Sequence, residues 1–522
     1  MRFTKIHNEL FLILFTLHFW AQELPPIVKY SKDIYKAGIQ NWMISQDNHG
    51  FMYFANNEGL LEFNGSKWKL NASPNQTIIR SVQSINNKIY TGAFMEFGFW
   101  QRNANGELFY TSLSKSISHK INDDEQFWGI FSFDDWILFQ SLEKIYIYDI
   151  KTKVFTIINP KSAINKVFKT SKNVYFQTSK GLYEIDQGKS KLYLANNFIN
   201  QNKIINIFDT GDGLILVTQK QGIFKYQNAV LSKFKTNIDN EIQQSNIYSS
   251  QLLSDGNIAL GSISNGIFVL SKEGNSIDHI TQNNGLSNNT ALSLFEDVDT
   301  NLWVGLDNGI NCINLKSPIK SYVDNTGLLG TVYASIKFNN KLYIGTNQGL
   351  FFKNSTENSK FQLITNTKGQ VWSLFSYDNT LFCGHDSGTY IVNNDKADLI
   401  YNASGTWKFS PSKTGSNFLL QGNYNGISVL KKINDKWIFK NKIAGFNYSS
   451  KYFEILNENK IIVSHEYKGV YQFNIDKSLT KASAIYQFKN LKKSINASLS
   501  KYNDQIYYAS KEGVYKLSNQ KK

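Results

Sequence analysis

Disulfide chemistry is absent from this chain as a source of stability. Its 522 residues hold two cysteines, Cys312 and Cys383, too few for a disulfide framework or a paired-cysteine zinc site. Arginine is nearly missing: Arg2, Arg80 and Arg102 are three of 56 basic residues, and the rest are lysine. The formal charge of +15 therefore does not read as a nucleic-acid interface, because the bidentate guanidinium fork that grips phosphate and guanine is scarce. The lysines are scattered through turns and strand ends, where they keep sheet edges solvated. Proline numbers only 6, and no segment beyond the first twenty residues is long and apolar enough for a transmembrane helix. No stretch carries a helical period of useful length. Catalytic signatures are missing too. There is no His-Glu-x-x-His, no Gly-x-Ser-x-Gly elbow and no phosphate-binding Gly-Lys-Ser/Thr loop.

What is present is aromatic and repetitive. Tyr 28, Phe 37 and Trp 10 make 14% of the chain, a profile that suits pleated, half-buried surfaces and predicts an all-β protein. At the N-terminus, Arg2 and Lys5 precede the apolar run Leu10-Phe11-Leu12-Ile13-Leu14-Phe15-Thr16-Leu17, then Ala21 and the polar Gln22-Glu23. That order reads as an export signal over 1–22, with Phe19 an imperfect residue at the cleavage site. A buried N-terminal strand is the other reading of the same run. Export predicts a periplasmic or secreted protein held together by packing alone.

The repeat is a strand, a polar turn ending in Gly, and a second alternating strand. Its clearest copies run Leu302-Trp303-Val304-Gly305 through Gly309-Ile310 and Leu342-Tyr343-Ile344-Gly345 through Gly349-Leu350. The turn glycine is read at Gly59, Gly98, Gly181, Gly222, Gly266, Gly309, Gly349, Gly388, Gly426, Gly469 and Gly513, with one degenerate copy near Ile137–Tyr148. Twelve copies between Gly59 and Gly513 give a period of about 41 residues, the spacing of β-propeller blades; a linear β-solenoid usually has shorter repeats. A further strand, such as Trp42–Gln46 or Val371–Phe375, precedes each hairpin. The expected organisation is tandem β-propellers: a seven-bladed ring over 23–317 and a second, incomplete and truncated ring of about five blades over 318–522.

Three stretches carry a family resemblance. They are Gly38-Ile39-Gln40-Asn41-Trp42 through Gly59-Leu60-Leu61-Glu62-Phe63, then Thr91–Trp100, and Asn284-Gly285-Leu286-Ser287-Asn288-Asn289-Thr290 through Asn308-Gly309-Ile310. They resemble the two-component regulator propeller repeat of Bacteroidota sensor proteins. That resemblance implies paired seven-bladed propellers forming a periplasmic sensor, followed by a triple-tyrosine domain, a membrane helix and a histidine-kinase or LuxR-type output. The sequence departs from that layout with twelve units instead of fourteen and none of the later parts, so the sensor part alone is expected, as a fragment or a free module.

Candidate ligand contacts follow from residue chemistry. Trp and Tyr stack on sugar faces while their polar tips hydrogen-bond. Trp68 and Trp407 follow turn signals and are the better candidates, with Trp100 and Trp128 behind them, whereas Trp303 and Trp372 lie within strands and read as packing. His385-Asp386 and His465-Glu466 occupy one turn position in two copies and could converge on a funnel, or be ordinary turn residues. Glu96 is an acid among apolar neighbours, either capping an amide or lining a channel. The expected function is a non-catalytic sensory module that binds an oligosaccharide or another small extracellular ligand and self-associates through its propellers. It is expected to need no cofactor or metal and to bind no nucleic acid. A protein-interaction scaffold is the alternative. A polysaccharide-acting enzyme would need a pair of carboxylates facing one channel.

Overall fold

Apolar runs such as Met52-Tyr53-Phe54-Ala55 are buried at every position, as a strand must be when both its faces are covered. In the computed structural model, which describes residues 23–322, 324, 327–355 and 360–517, such strands belong to small antiparallel sheets packed face to face. The expected export signal lies outside the described residues. The helical segments are short (Lys32–Tyr35, Asn197–Gln201, Asp239–Gln244 and the 3-10 turn Ser114–Lys120). Among the described residues no helix is long and apolar enough to cross a membrane. The protein is all-β, built from propeller blades.

The chain divides into two units. Glu23–Val323 holds seven four-stranded sheets, here numbered one to seven: 41–72, 81–112, 129–158, 164–194, 204–234, 247–280, and 291–313 completed by 27–30. The other unit begins at Asp324 and carries sheets eight to twelve: 332–363, 371–401, 408–442, 452–487, and the three-stranded 498–517. The first unit extends past Ser317 because Ser321–Tyr322 pair with Glu23–Leu24.

In the first unit, each inner strand packs on the next, and the inner strand of sheet seven packs on that of sheet one, so the ring closes. Sheet seven takes its outermost strand from the other end of the unit. Ile27–Tyr30 pair with Ile310–Ile313, Ile27 opposite Ile313 and Tyr30 opposite Ile310. The core is distributed rather than central. Each seam between neighbouring sheets has its own apolar cluster, such as Tyr53, Ala55, Leu60, Val82, Ile89 and Trp100 between sheets one and two. Tyr35, Phe54, Leu61, Phe63, Trp303 and Ile310 fill the closing seam between sheets seven and one. The second unit repeats the plan, with clusters between eight and nine, nine and ten, ten and eleven, and eleven and twelve. The high aromatic content is spent mostly in these seams, because large rings fill the widening space between twisted sheets.

Near the axis the sheets approach too closely for side chains, and a serine–glycine pair manages the contact. Ser81, Ser249, Ser293 and Ser373 lie opposite Gly92, Gly261, Gly305 and Gly384 in the neighbouring strand. Each serine hydroxyl donates to a carbonyl at the start of the next sheet: Phe127, Ala291, Asn41 and Thr406, at 2.8, 2.9, 3.1 and 3.3 Å. A β-carbon on any of these glycines would overlap that serine oxygen or that carbonyl.

Two details differ from the sequence reading. Gly98 is not a turn glycine. It lies inside the strand Phe97–Arg102, opposite Thr91, and the turn before it spans 93–96 with Met95 at φ 50°. There the absent side chain makes room for the Tyr110 ring and the Thr111 carbonyl. Glu96 lines no channel: it accepts from Tyr110 Oη at 2.9 Å and Ser112 Oγ at 2.7 Å, tying the turn to the outermost strand. Both cysteines are free thiols, Cys383 buried and Cys312 half-buried.

Candidate functional site

The second residue of the innermost strand escapes the ladder in seven of the described sheets. Between Asn41 and Met43 the pairing skips one residue, and Trp42 bulges. Asn165, Ile205, Tyr248 and Leu292 are skipped in the same way in the first unit, and Tyr333 and Trp372 in the second. A bulge leaves its residue unpaired and re-aims the side chain, so the ring offers a set of side chains at its axis that pairing does not use. The corresponding places hold Trp128, Trp407 and Lys451, each next to a serine-bonded or glycine-facing carbonyl, and Arg80, just ahead of the axial Ser81.

In the first unit these side chains meet. The Arg80 guanidinium carbon lies 4.4 Å from the Trp42 ring centre and 4.5 Å from that of Trp128, and the two indoles stand edge to face at 6.1 Å. Arg80 Nε donates to Gln126 Oε1 at 3.2 Å, and Trp42 Nε1 donates to Asn57 Oδ1 at 2.7 Å. Arg80 also lies within electrostatic reach of Tyr248, although sheets two and six are not neighbours in the ring. Burial raises the Tyr248 phenol pKa, and the arginine charge works against that rise.

Lys166 follows the bulge of sheet four, and Lys203 stands just before sheet five. Burial, reinforced by the Lys203 charge, brings the Lys166 ammonium down to about 8. The unfolded chain keeps that proton up to about pH 10.4. Between roughly pH 8 and 10.4 the unfolded state therefore binds more protons, and stability from this group rises with pH. Lys166→Met is expected to stabilise the protein at pH 7 and to flatten that rise between pH 8 and 9.5. Denaturant midpoints of wild type and variant across this range check it; equal midpoints at pH 7 would contradict it.

In the second unit the bulged Tyr333 and Trp372 begin an aromatic ladder across three sheets. Tyr333 and Trp372 lie 4.9 Å apart between ring centres, Trp372 and Trp407 4.6 Å, and Trp407 and Tyr424 5.1 Å. Lys451 Nζ lies 5.0 Å over the Trp407 ring and 3.4 Å from Glu466 Oε1. Tyr333 and Tyr424 are 42% and 39% exposed, so the ladder shows ring surface to solvent. The Trp372 N–H and the Lys451 charge counter the rise that burial and Asp386 impose on the Tyr424 phenol. Trp407 Nε1 is inaccessible and has no acceptor among the described residues.

This arrangement sorts the candidates read from sequence. Trp407, Asp386 and Glu466 come together, because the hairpins bearing Asp386, Tyr424 and Glu466 end beside the start of the innermost strands. His465 sits one residue back, its Nδ1 accepting from Tyr467 N at 3.1 Å, and burial lowers its pKa. His385 is not an open turn residue. It is 2% exposed, lies 3.3 Å from Thr367 O and accepts from Ser387 N at 3.1 Å, with Asp386 Oδ1 2.5 Å from its Nδ1. Trp68 belongs to the closing seam, stacked on Phe63 at 4.4 Å with Tyr30 and Phe54 beside it. Trp100 is buried and donates to Thr91 Oγ1 at 2.9 Å. Sequence reading passed over Trp42, Arg80, Tyr248, Tyr424 and Lys451, and it assigned Trp372 to packing. The available signal was the residue just ahead of an inner-strand serine, as in Arg80-Ser81, Tyr248-Ser249 and Trp372-Ser373.

Two other features carry less chemistry. A dish of about 460 Å³ in the first unit is lined by Lys29, Ser31, Gln282, Leu286, Ser287 and Asn308, a polar lining with one cation. Among the described residues no group of three or more His, Cys, Asp or Glu side chains could hold a metal ion.

No protein-family model and no curated protein matches the sequence. Solved structures do. The extracellular domain assigned to a hybrid two-component system of B. thetaiotaomicron superposes with a TM-score of 0.66 at 17% identity, over 94% of this chain and 71% of that one. A second extracellular domain from the same organism, assigned to a one-component system, gives 0.46 at 15% identity over 96% and 72%. Virginiamycin B lyase from Staphylococcus aureus gives 0.45 at 12% identity over 56% of this chain and 100% of the enzyme. The first of these likenesses, with the sheets described above, establishes that the chain has the β-propeller fold of that domain.

Proposed function

We propose that this chain is the sensory, non-catalytic part of a signal-transduction or transcriptional regulator. In this reading it works outside the cytoplasm and binds an oligosaccharide or a similar small ligand on the aromatic ladder of its second unit. The observation that carries the reading is the run Tyr333–Trp372–Trp407–Tyr424, four rings from three successive sheets flanked by Lys451, Asp386 and Glu466. Stacked rings with charged groups at the margin suit a ligand that has apolar faces and hydroxyl edges. The named function of the B. thetaiotaomicron domain and the apolar run at residues 10–17 support a sensor in an exported setting. Passing the signal on requires that ligand bind two arrangements of the protein unequally, and self-association of propellers would supply them.

A screen of neutral and acidic oligosaccharides by tryptophan fluorescence and calorimetry tests the reading. Trp407→Ala is expected to weaken the best ligand at least tenfold, since a lost stacking contact costs about 1.4 kcal/mol. Trp68→Phe should leave affinity unchanged. Binding that survives Trp407→Ala would remove the ladder as the site. A chain that binds no oligosaccharide but captures a defined protein would point to the scaffold reading.

A further inference from the structure

We propose that the axial mouth of the first ring is an oxyanion site, in which the terminal nitrogens of Arg80 grip a carboxylate or sulfate group of a small molecule and the Tyr248 hydroxyl supplies a further donor. The proposal is independent of the aromatic ladder, which belongs to the other unit. Arg80 is one of three arginines in the chain, and it stands at a bulge-equivalent position that pairing does not require. Two indoles set at right angles to each other hold its guanidinium, with ring centres at 4.4 and 4.5 Å from its carbon. Gln126 takes Nε, which leaves the two terminal nitrogens. Among the described residues no carboxylate lies within ion-pair distance of Arg80, and its terminal nitrogens have no hydrogen-bond acceptor.

Arg102 shows the contrast. It pairs with Glu62 at 3.0 Å and donates to Tyr53 Oη and to Gly106 O, each at 2.9 Å, so both its terminal nitrogens are used inside the fold. A guanidinium held by two indoles and by a bond at Nε, with its terminal nitrogens free of acceptors, is already oriented for two-point binding of a planar or tetrahedral oxyanion. Tyr248 Oη likewise has no hydrogen-bond partner among the described residues, and it stands on the innermost strand of sheet six within electrostatic reach of Arg80.

The scarcity of arginine makes the test direct. Full-length protein labelled with [15N]-arginine yields at most three Nε–Hε signals, from Arg2, Arg80 and Arg102. Sodium acetate and sodium sulfate are titrated separately, with sodium chloride and acetamide as controls. Arg80→Lys assigns the Arg80 signal by its loss; if that variant does not fold, the upfield ring-current shift from two flanking indoles identifies it. The expected result is a saturable shift of the Arg80 signal alone, with a millimolar midpoint that Tyr248→Phe raises at least threefold. Saturation by sulfate only or by acetate only tells which oxyanion geometry the site takes. An Arg80 signal that stays fixed, or that moves equally with chloride or together with Arg102, overturns the proposal.

Discussion

Trp303→Ala lowers the stability of the first ring by about 4 kcal/mol, the usual cost of emptying a buried indole site. Trp303 is 5% exposed and packs against Tyr30 at 5.8 Å, Phe54 at 5.7 Å and Phe63 at 5.9 Å. Those partners come from the closing strand and from sheet one, so the vacated volume opens the seam by which the ring is shut. Its Nε1 also donates to Asp297 Oδ2 at 2.8 Å, and that carboxylate is 9% exposed. Asp297 keeps two bonds from Asn301, at 2.8 Å to the backbone and 3.0 Å to the side chain, so the loss is dominated by packing. Trp303→Phe should cost about 2 kcal/mol, part cavity and part lost hydrogen bond. Denaturant unfolding of both variants checks this ordering. A Trp303→Ala cost under 1 kcal/mol would mean that the seam closes up without its largest ring.

Gly305→Ala is expected to cost about 3 kcal/mol for a single added methyl group, in the range of severe overpacking. A β-carbon there overlaps Ser293 Oγ and stands 2.6 Å from the Asn41 carbonyl, which is backbone of sheet one and cannot swing away. Ser293→Ala alone should cost about 1 kcal/mol, for the hydroxyl's bond to Asn41 O at 3.1 Å. Combined with Gly305→Ala it should recover part of the loss, because one of the two obstacles disappears. The double-mutant cycle measures that coupling. Gly65→Ala is the comparison: φ is +89° but nothing lies within 4 Å, so only the backbone penalty of about 1 kcal/mol applies. Equal costs at Gly305 and Gly65 would show that close approach of the sheets is not what glycine secures at 305.

The repeat was legible because one physical requirement recurs at a nearly fixed interval. A chain that reverses between two strands at Asn347-Gln348-Gly349 needs a residue at φ +151°, and glycine marks the spot. The same logic misplaced Gly98, since a glycine needed for close packing looks identical in sequence to one needed for a turn. Blade seams were legible only in outline: aromatic strands announced burial, but which ring met which sheet depended on register across the ring. The closing strand Ile27–Tyr30 finds its partner nearly three hundred residues away, a pairing no local pattern announces.

At the candidate sites, position in the blade outweighed local signal. Trp68 follows Gly65-Ser66-Lys67 and reads as an exposed turn neighbour, yet its strand is the outermost of its sheet and folds its ring onto Phe63. Trp372 reads as packing because it lies within a strand, yet the strand bulges there. Arg80 gave no signal except its rarity.

The way the first ring is fastened has a mechanical consequence. Its entering strand lies antiparallel to its leaving strand, with Glu23 beside Tyr322, then Ile27 beside Ile313, and Tyr30 beside Ile310 at the far end. Tension drawn between the two ends of the unit therefore loads the pairs one after another, from Glu23–Tyr322 inward, instead of shearing the whole ladder at once. The ring yields to force by unzipping, at a low and graded threshold, and sheet seven gives way before any other seam feels the pull.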